Sequence, residues 1–147
     1  MKIALGSDHR GMEQRSWAQA EIEFQGHEAS DFGTHSTESC DYPDIAKDVA
    51  LAVAQGDCER GILICGTGIG MSIAANKIDG IRAAVCHDLN TAVLSRQHND
   101  ANILCLPGND LDERQLKSIV HAWIDEPFEG GRHQRRVEKI AEIRQNC

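Results

Sequence analysis

The feature that most constrains this chain is the run Gly61-Ile62-Leu63-Ile64-Cys65, which breaks at once into Gly66-Thr67-Gly68-Ile69-Gly70. A short apolar run without polar alternation reads as a strand buried on both faces, and such strands belong to parallel sheets covered by helices on each side. The rest of the chain agrees. Further strands are predicted over 3–7, 28–32, 81–86 and 102–106, and helices over 12–24, 42–54, 69–77, 90–97, 113–124 and 132–144. Pro43 stands in a first turn, and Gly26 and Gly56 lie just past two helix ends, where each is favoured. Alternating strands and helices with short links predict a three-layer α/β/α arrangement around a five-stranded parallel sheet. No repeat, low-complexity stretch or linker divides it, so residues 1–147 are expected to form one domain.

Composition excludes several classes. A chain of 147 residues can bury about 68–70% of its unfolded surface without staples. Its 41% apolar and 26% charged residues are those of an ordinary globular protein, not a disordered one. No apolar run approaches the roughly 18 residues of a membrane span. The start, Met1-Lys2-Ile3-Ala4-Leu5-Gly6-Ser7-Asp8, meets Gly and Asp too soon for a signal peptide. A cytoplasmic location is expected, where thiols stay reduced. The six cysteines (40, 58, 65, 86, 105 and 147) contain no CxxC pair, so neither a zinc ribbon nor a thioredoxin motif is present. They are expected to be small buried apolar residues, with at most one reactive thiol.

The net charge of −8 is uneven: residues 132–147 hold five basic and two acidic groups, +3, and the other 131 residues hold 10 basic and 21 acidic groups, −11. An acidic body disfavours nucleic acid. The basic tail suits either a local anion grip or a solvated helix.

In a parallel sheet, ligands bind beyond the carboxyl ends of the strands. There, Cys65-Gly66-Thr67-Gly68-Ile69-Gly70-Met71-Ser72 offers backbone N–H groups to negative charge. Three chemistries compete with a plain tight turn. A dinucleotide fingerprint wants a glycine where Met71 stands, although Asp88 lies near the place of a ribose-binding acid. A cysteine phosphatase loop wants an arginine at that same Met71. A thiolate at Cys65, favoured by the helix start, could instead take a proton from carbon while loop amides hold the developing enolate oxygen. Asp8-His9, after the first strand, could bind hydroxyls or move protons, or Asp8 could cap the next helix. His98, at a helix end, suits acid–base work or a dipole contact. Arg132 and Arg136, four apart, share a helix face and match phosphate oxygens.

The motifs Gly-Ser-Asp-His near the start, Asp41-Tyr42-Pro43, the 64–70 loop, Ala74-Ala75-Asn76-Lys77, Gly80-Ile81-Arg82-Ala83, Leu94-Ser95-Arg96-Gln97-His98-Asn99-Asp100 and Glu129-Gly130-Gly131-Arg132-His133-Gln134-Arg135-Arg136-Val137 occur in that order. Together they closely resemble the type B ribose-5-phosphate isomerases, a family that also contains allose- and galactose-6-phosphate isomerases. The resemblance implies a Rossmann-like fold with an extended C-terminal helix, and aldose–ketose interconversion without metal or cofactor. It implies Cys65 as the base of an enediol mechanism, Thr67 as a proton shuttle, and Gly66, Gly68 and Gly70 as the anion pocket. His98 would open the furanose ring, with Asn99, Asp8 and Tyr42 on hydroxyls and His9, Arg132 and Arg136 on the phosphate. It further implies a homodimer, with tetramers left open, in which Arg132 and Arg136 serve the neighbouring subunit's site. One departure stands out. Many members carry an arginine shortly after the fifth strand, where this chain has Pro107-Gly108-Asn109-Asp110. A six-carbon aldose phosphate, or sugar-phosphate binding without catalysis, are the alternatives to ribose 5-phosphate.

Overall fold

The strands alternate in which side they bury, and this parity builds the molecule. The computed structural model describes residues 1–143. Five strands, β1 (Lys2–Ser7), β2 (Glu28–Asp31), β3 (Arg60–Cys65), β4 (Ala83–Val85) and β5 (Ile103–Pro107), form one all-parallel sheet in the order β2-β1-β3-β5-β4. Six helices link and follow them: α1 (Met12–Phe24), α2 (Tyr42–Ala54), α3 (Ile69–Ala75), α4 (Leu89–Asn99), α5 (Glu113–Asp125) and α6 (Arg132–Glu142). Ile3, Leu5, Ile62, Ile64, Leu104 and Leu106 point to one face, where α1, α4 and α5 bring Ile22, Ala92, Leu116 and Trp123. Ala4, Leu63, Cys65, Ile103 and Cys105 point to the other, where α2 and α3 bring Ala46, Val49, Ala50, Met71 and Ala75. Each side chain on the central strands therefore has a core to enter, which is why β3 shows no polar alternation.

The α/β/α architecture expected from the sequence is present; strands 3–7, 28–32, 61–65 and 102–106 and helix 113–124 are displaced by a single residue at one end or both, and three other elements differ by more. The predicted helix 69–77 ends at Ala75 because Asn76 turns to β4: its Nδ2 donates to the Ala83 carbonyl at 2.8 Å and its Oδ1 accepts from the Ala83 N–H at 2.9 Å. The predicted strand 81–86 narrows to Ala83–Val85 because Arg82 N–H donates to the Asn102 side chain at 2.8 Å instead of to a ladder. The predicted helix 90–97 extends to Leu89–Asn99, opened by an Asp88 capping box. Of the predicted helix 132–144, Arg132–Glu142 is helical and Arg144 lies outside the described residues. No helix among the described residues is long and apolar enough to cross a membrane.

The chain steps left from β1 to β2 and then returns to place β3 on the right of β1. The loops after β1 and β3 consequently diverge from adjacent strand ends. That divergence is the topological switch point, where an open parallel sheet leaves a crevice.

Candidate active site

Cys65 is the last residue of β3 and is 6% exposed. The next residues fold back tightly enough that the Gly68 N–H donates to Cys65 Sγ at 3.2 Å. This closure needs Gly68 at φ +75°, a left-handed conformation that favours glycine. The Ile69 N–H donates to Thr67 Oγ1 at 3.3 Å, which leaves the Thr67 hydroxyl proton available. The N–H groups of Gly66 and Thr67 have no acceptor among the described residues, and those of Gly70 and Met71 lie in the unpaired first turn of α3. A sulfur with an amide donor thus sits beside several uncommitted N–H groups. α3 has only seven residues, so these local amides, more than a helix dipole, make the pocket attractive to negative charge.

Four other segments frame this loop. Tyr42, at the start of α2, lays its ring on Gly70, where a Cβ would stand 2.7 Å from the phenol oxygen. Asp8 is buried after β1, its N–H donating to the Ile64 carbonyl at 3.2 Å. Its carboxylate accepts from the Arg10 N–H at 2.9 Å. The reading of Asp8 as a helix cap is therefore corrected: the cap residue of α1 is Gly11, without a side-chain bond. His9 Nδ1 accepts from the Cys40 N–H at 3.4 Å, so in the neutral ring Nε2 carries the proton. The loop after β5 is laced to the glycine loop by Gly108 N–H to the Cys65 carbonyl, 2.7 Å, and Asn109 N–H to the Gly66 carbonyl, 3.3 Å.

The other predicted site residues lie elsewhere in the same chain. In a parallel sheet α4 must run from the carboxyl edge back to the amino edge, and its 11 residues cover roughly 16 Å. His98 and Asn99 at its end lie at the amino edge, where Asn99 lines a hollow with Ile81, Arg82 and Ala83 at the start of β4. His98 stacks on His133 of α6, ring centroids 4.2 Å apart and planes within 9°. Arg132 and Arg136 are exposed on the same helix. The chain thus places the predicted residues in two separate groups, one around the glycine loop and one at the ends of α4 and α6. Cys65, Thr67, Gly66, Gly68, Gly70, Asp8, His9 and Tyr42 form one, and His98, Asn99, Arg132 and Arg136 form the other.

The dinucleotide reading loses ground. Asp88 is committed to α4, its carboxylate accepting the Thr91 N–H at 2.7 Å, and this bond pulls it below the usual carboxylate range. That removes the ribose acid that a dinucleotide reading needs. His98, Glu129 and His133 offer ligand atoms within 4.8 Å of one another. Stacked rings aim their lone pairs side by side, however, whereas a shared ion needs them to converge. Burial lowers the His133 pKa, with help from nearby His98 and Arg132. Among the other thiols, Cys58, Cys86 and Cys105 are buried and raised by desolvation, so they stay protonated and inert.

Comparison with known proteins decides the family. A model of the ribose/galactose isomerase family matches residues 3–140. The chain belongs to that family. Within it, ribose-5-phosphate isomerase B of Escherichia coli is 51% identical over 144 residues, covering 98% of this chain and 97% of that protein. The solved structure of Clostridium thermocellum ribose-5-phosphate isomerase B superposes with a TM-score of 0.97 at 51% identity, covering 99% of each chain. D-erythrulose-4-phosphate isomerase of Pectobacterium atrosepticum is 40% identical over 141 residues, covering 95% of this chain and 93% of that protein. Membership of the ribose/galactose isomerases makes the chain a sugar-phosphate isomerase.

Sequence reasoning missed the geometry of Arg10 and Asn109. A Cβ on Gly66 would lie 3.2 Å from Asn109 Nδ2 and 3.5 Å from Arg10 Nη1. Both side chains thus reach over the residue that follows Cys65. Proximity across three strands decides this, and no local motif encodes it.

Proposed function

We propose that the chain is a cytoplasmic, homodimeric aldose–ketose isomerase that interconverts ribose 5-phosphate and ribulose 5-phosphate. The observation that carries this reading is Cys65 Sγ at the carboxyl end of β3, held at 3.2 Å by the Gly68 N–H among uncommitted loop amides. A thiolate placed there removes the proton from the second carbon of the open-chain aldose. The electron pair forms the carbon–carbon double bond of a cis-enediol, and the amides stabilise the oxygen that gains charge. Thr67 passes a proton between the two oxygens. The Cys65 thiol then returns its proton to the first carbon, giving the ketose with no net change in atoms. His98 opens the furanose ring beforehand. Asp8, Tyr42 and Asn99 take hydroxyls, and His9, Arg132 and Arg136 take the phosphate.

The separation of the two groups of site residues supports a homodimer, in which a second copy brings His98 and the tail arginines to Cys65. Ile69 and Ile73 on α3 and Ile140 on α6, together with Ile143 just beyond it, are 52, 59, 47 and 62% exposed, apolar surface that a second copy would cover. The ribose-5-phosphate isomerase names of the E. coli and C. thermocellum relatives favour the five-carbon substrate. The Pectobacterium relative's name keeps a four-carbon substrate in view, and the family's description keeps a six-carbon one.

An isomerase assay across four-, five- and six-carbon aldose phosphates tests the reading. Turnover is expected to be fastest on ribose 5-phosphate. Cys65→Ala is expected to lower kcat by about 10²–10⁴-fold while still binding the sugar phosphate. His98→Asn should hurt the cyclic substrate far more than the open-chain one. A wild-type chain that binds every sugar phosphate and turns over none is a binding protein, and the proposal fails. Faster turnover of a six-carbon substrate overturns the substrate assignment alone.

A further inference from the structure

Most arginines of the sheet region have fixed structural work. Arg15 pairs with Asp31, Arg60 donates to the carbonyls of Trp123 and Ile124, and Arg82 and Arg96 share Asp100. Arg10 has none. It is exposed, and no ion pair or side-chain hydrogen bond among the described residues uses its guanidinium. Its backbone is nevertheless pinned. Arg10 N–H donates to Asp8 Oδ1 at 2.9 Å, and Gly11 N–H to the Asp8 carbonyl at 3.2 Å. Gly11 itself is wedged so closely on Ile64 that a Cβ there would stand 2.9 Å from Ile64 Cγ2. The side chain therefore leaves from a fixed point and lies over Gly66, its Cδ 3.6 Å and Nη1 3.5 Å from the place of a Cβ. Asn109 Nδ2 reaches the same place to 3.2 Å, and its backbone is tied to the Gly66 carbonyl.

We propose that Arg10 binds the phosphate group of the sugar phosphate, its guanidinium and the Asn109 amide forming one donor set over Gly66. The inference rests on the sugar-phosphate isomerase reading and adds a substrate contact to it. The chemistry is specific. A guanidinium offers a planar fork of donors and no acceptor, and an amide adds two more N–H groups. The Asp8 carboxylate accepts from the Arg10 backbone N–H, not from its guanidinium. A rim with these donors beside a site fits a group with several anionic oxygens, and phosphate matches the fork in bidentate fashion. Placing this grip in the Cys65 half means one chain holds both the reacting carbons and part of the phosphate. The substrate's span is then fixed before the second chain's arginines close on it.

The test compares wild type with Arg10→Ala and Arg10→Lys. KM and kcat are measured on ribose 5-phosphate, and inorganic phosphate is used as a competitive inhibitor and, separately, as a calorimetric ligand. Arg10→Ala should raise KM and the inorganic phosphate Ki together by about 10- to 100-fold, with kcat within about threefold. Arg10→Lys should recover part of the loss, because a point charge lacks the fork. Arg10→Ala combined with Asn109→Arg, which returns a guanidinium to the same place, should recover affinity. Melting temperatures should match wild type, since the side chain is exposed. Unchanged phosphate affinity in Arg10→Ala overturns the proposal. So does a fall in kcat with KM unchanged, which would put Arg10 at the reacting carbons. Calorimetry with inorganic phosphate needs no turnover, so a failure of the isomerase reading stays distinguishable from a failure of the Arg10 assignment.

Discussion

Replacing Gly68 with alanine isolates what the turn after Cys65 costs and what it achieves. Two strains meet there. The residue sits at φ +75°, where an L side chain costs about 1–2 kcal/mol. A Cβ would also stand 3.1 Å from the Leu106 carbonyl carbon and 3.3 Å from its N and O. Leu106 is backbone of β5, clamped between β3 and β4, so it cannot yield as a surface side chain would. Overpacking of this kind costs about 1–3 kcal/mol. Gly80 supplies the control: its φ is +79°, yet a Cβ there meets nothing within 4 Å. Alanine restricts the unfolded chain equally at both positions, returning about 0.4–1 kcal/mol. Gly80→Ala should therefore destabilise by about 1 kcal/mol, and Gly68→Ala by about 1–3 kcal/mol more. The shifted Gly68 amide also loosens its 3.2 Å bond to Cys65 Sγ. Hydrogen bonds to charged groups are worth about 1.5–3 kcal/mol, so kcat should fall about 10- to 100-fold. Urea unfolding followed by circular dichroism at fixed protein concentration measures the first effect, and initial rates on ribose 5-phosphate measure the second. Equal stabilities for the two variants, or a Gly68→Ala kcat within twofold of wild type, would refute the reasoning.

Two further outcomes follow from the same structure. Asp88→Ala removes the cap of α4 and should lower Tm by about 3 °C while leaving KM unchanged; a raised KM would restore a ligand-binding role to Asp88. His133, held below its ordinary range by burial, binds a proton more weakly folded than unfolded. Stability should be full above the free imidazole value of about 6.5 and decline as pH falls through it towards the lowered folded value. Tm measured at pH 7.5 and 5.5 should show this drop, and His133→Phe, which keeps a ring against His98, should shrink it; an undiminished drop would assign it to other groups.

The parts of the fold written in neighbouring residues were legible. The apolar run ending in Cys65, Pro43 in a first turn and Gly26 past a helix end all act locally, and the elements they mark are present. Boundaries were lost where a side chain reaches across the fold. Asn76 and Asn102 take backbone partners seven and 20 residues away, and these end α3 and trim β4. The site divides the same way. The glycine loop declared itself through composition, but Asp88 did not, because a ribose-binding acid and a helix cap occupy the same place after a strand. Arg10 and Asn109 meet over Gly66 from positions 99 residues apart, a convergence that only packed strands reveal. His98 and Cys65 show the converse: the resemblance joins them in one mechanism, while α4 carries them to opposite edges of the sheet.

That separation reaches into inheritance. Under the proposed pairing each chain is half of two sites, one through its glycine loop and one through its α4 and α6 ends. A single faulty chain then spoils a site it does not fully own, so damage spreads to healthy copies it joins. Two chains with faults in different halves do the reverse: joined together, they rebuild one sound site between them.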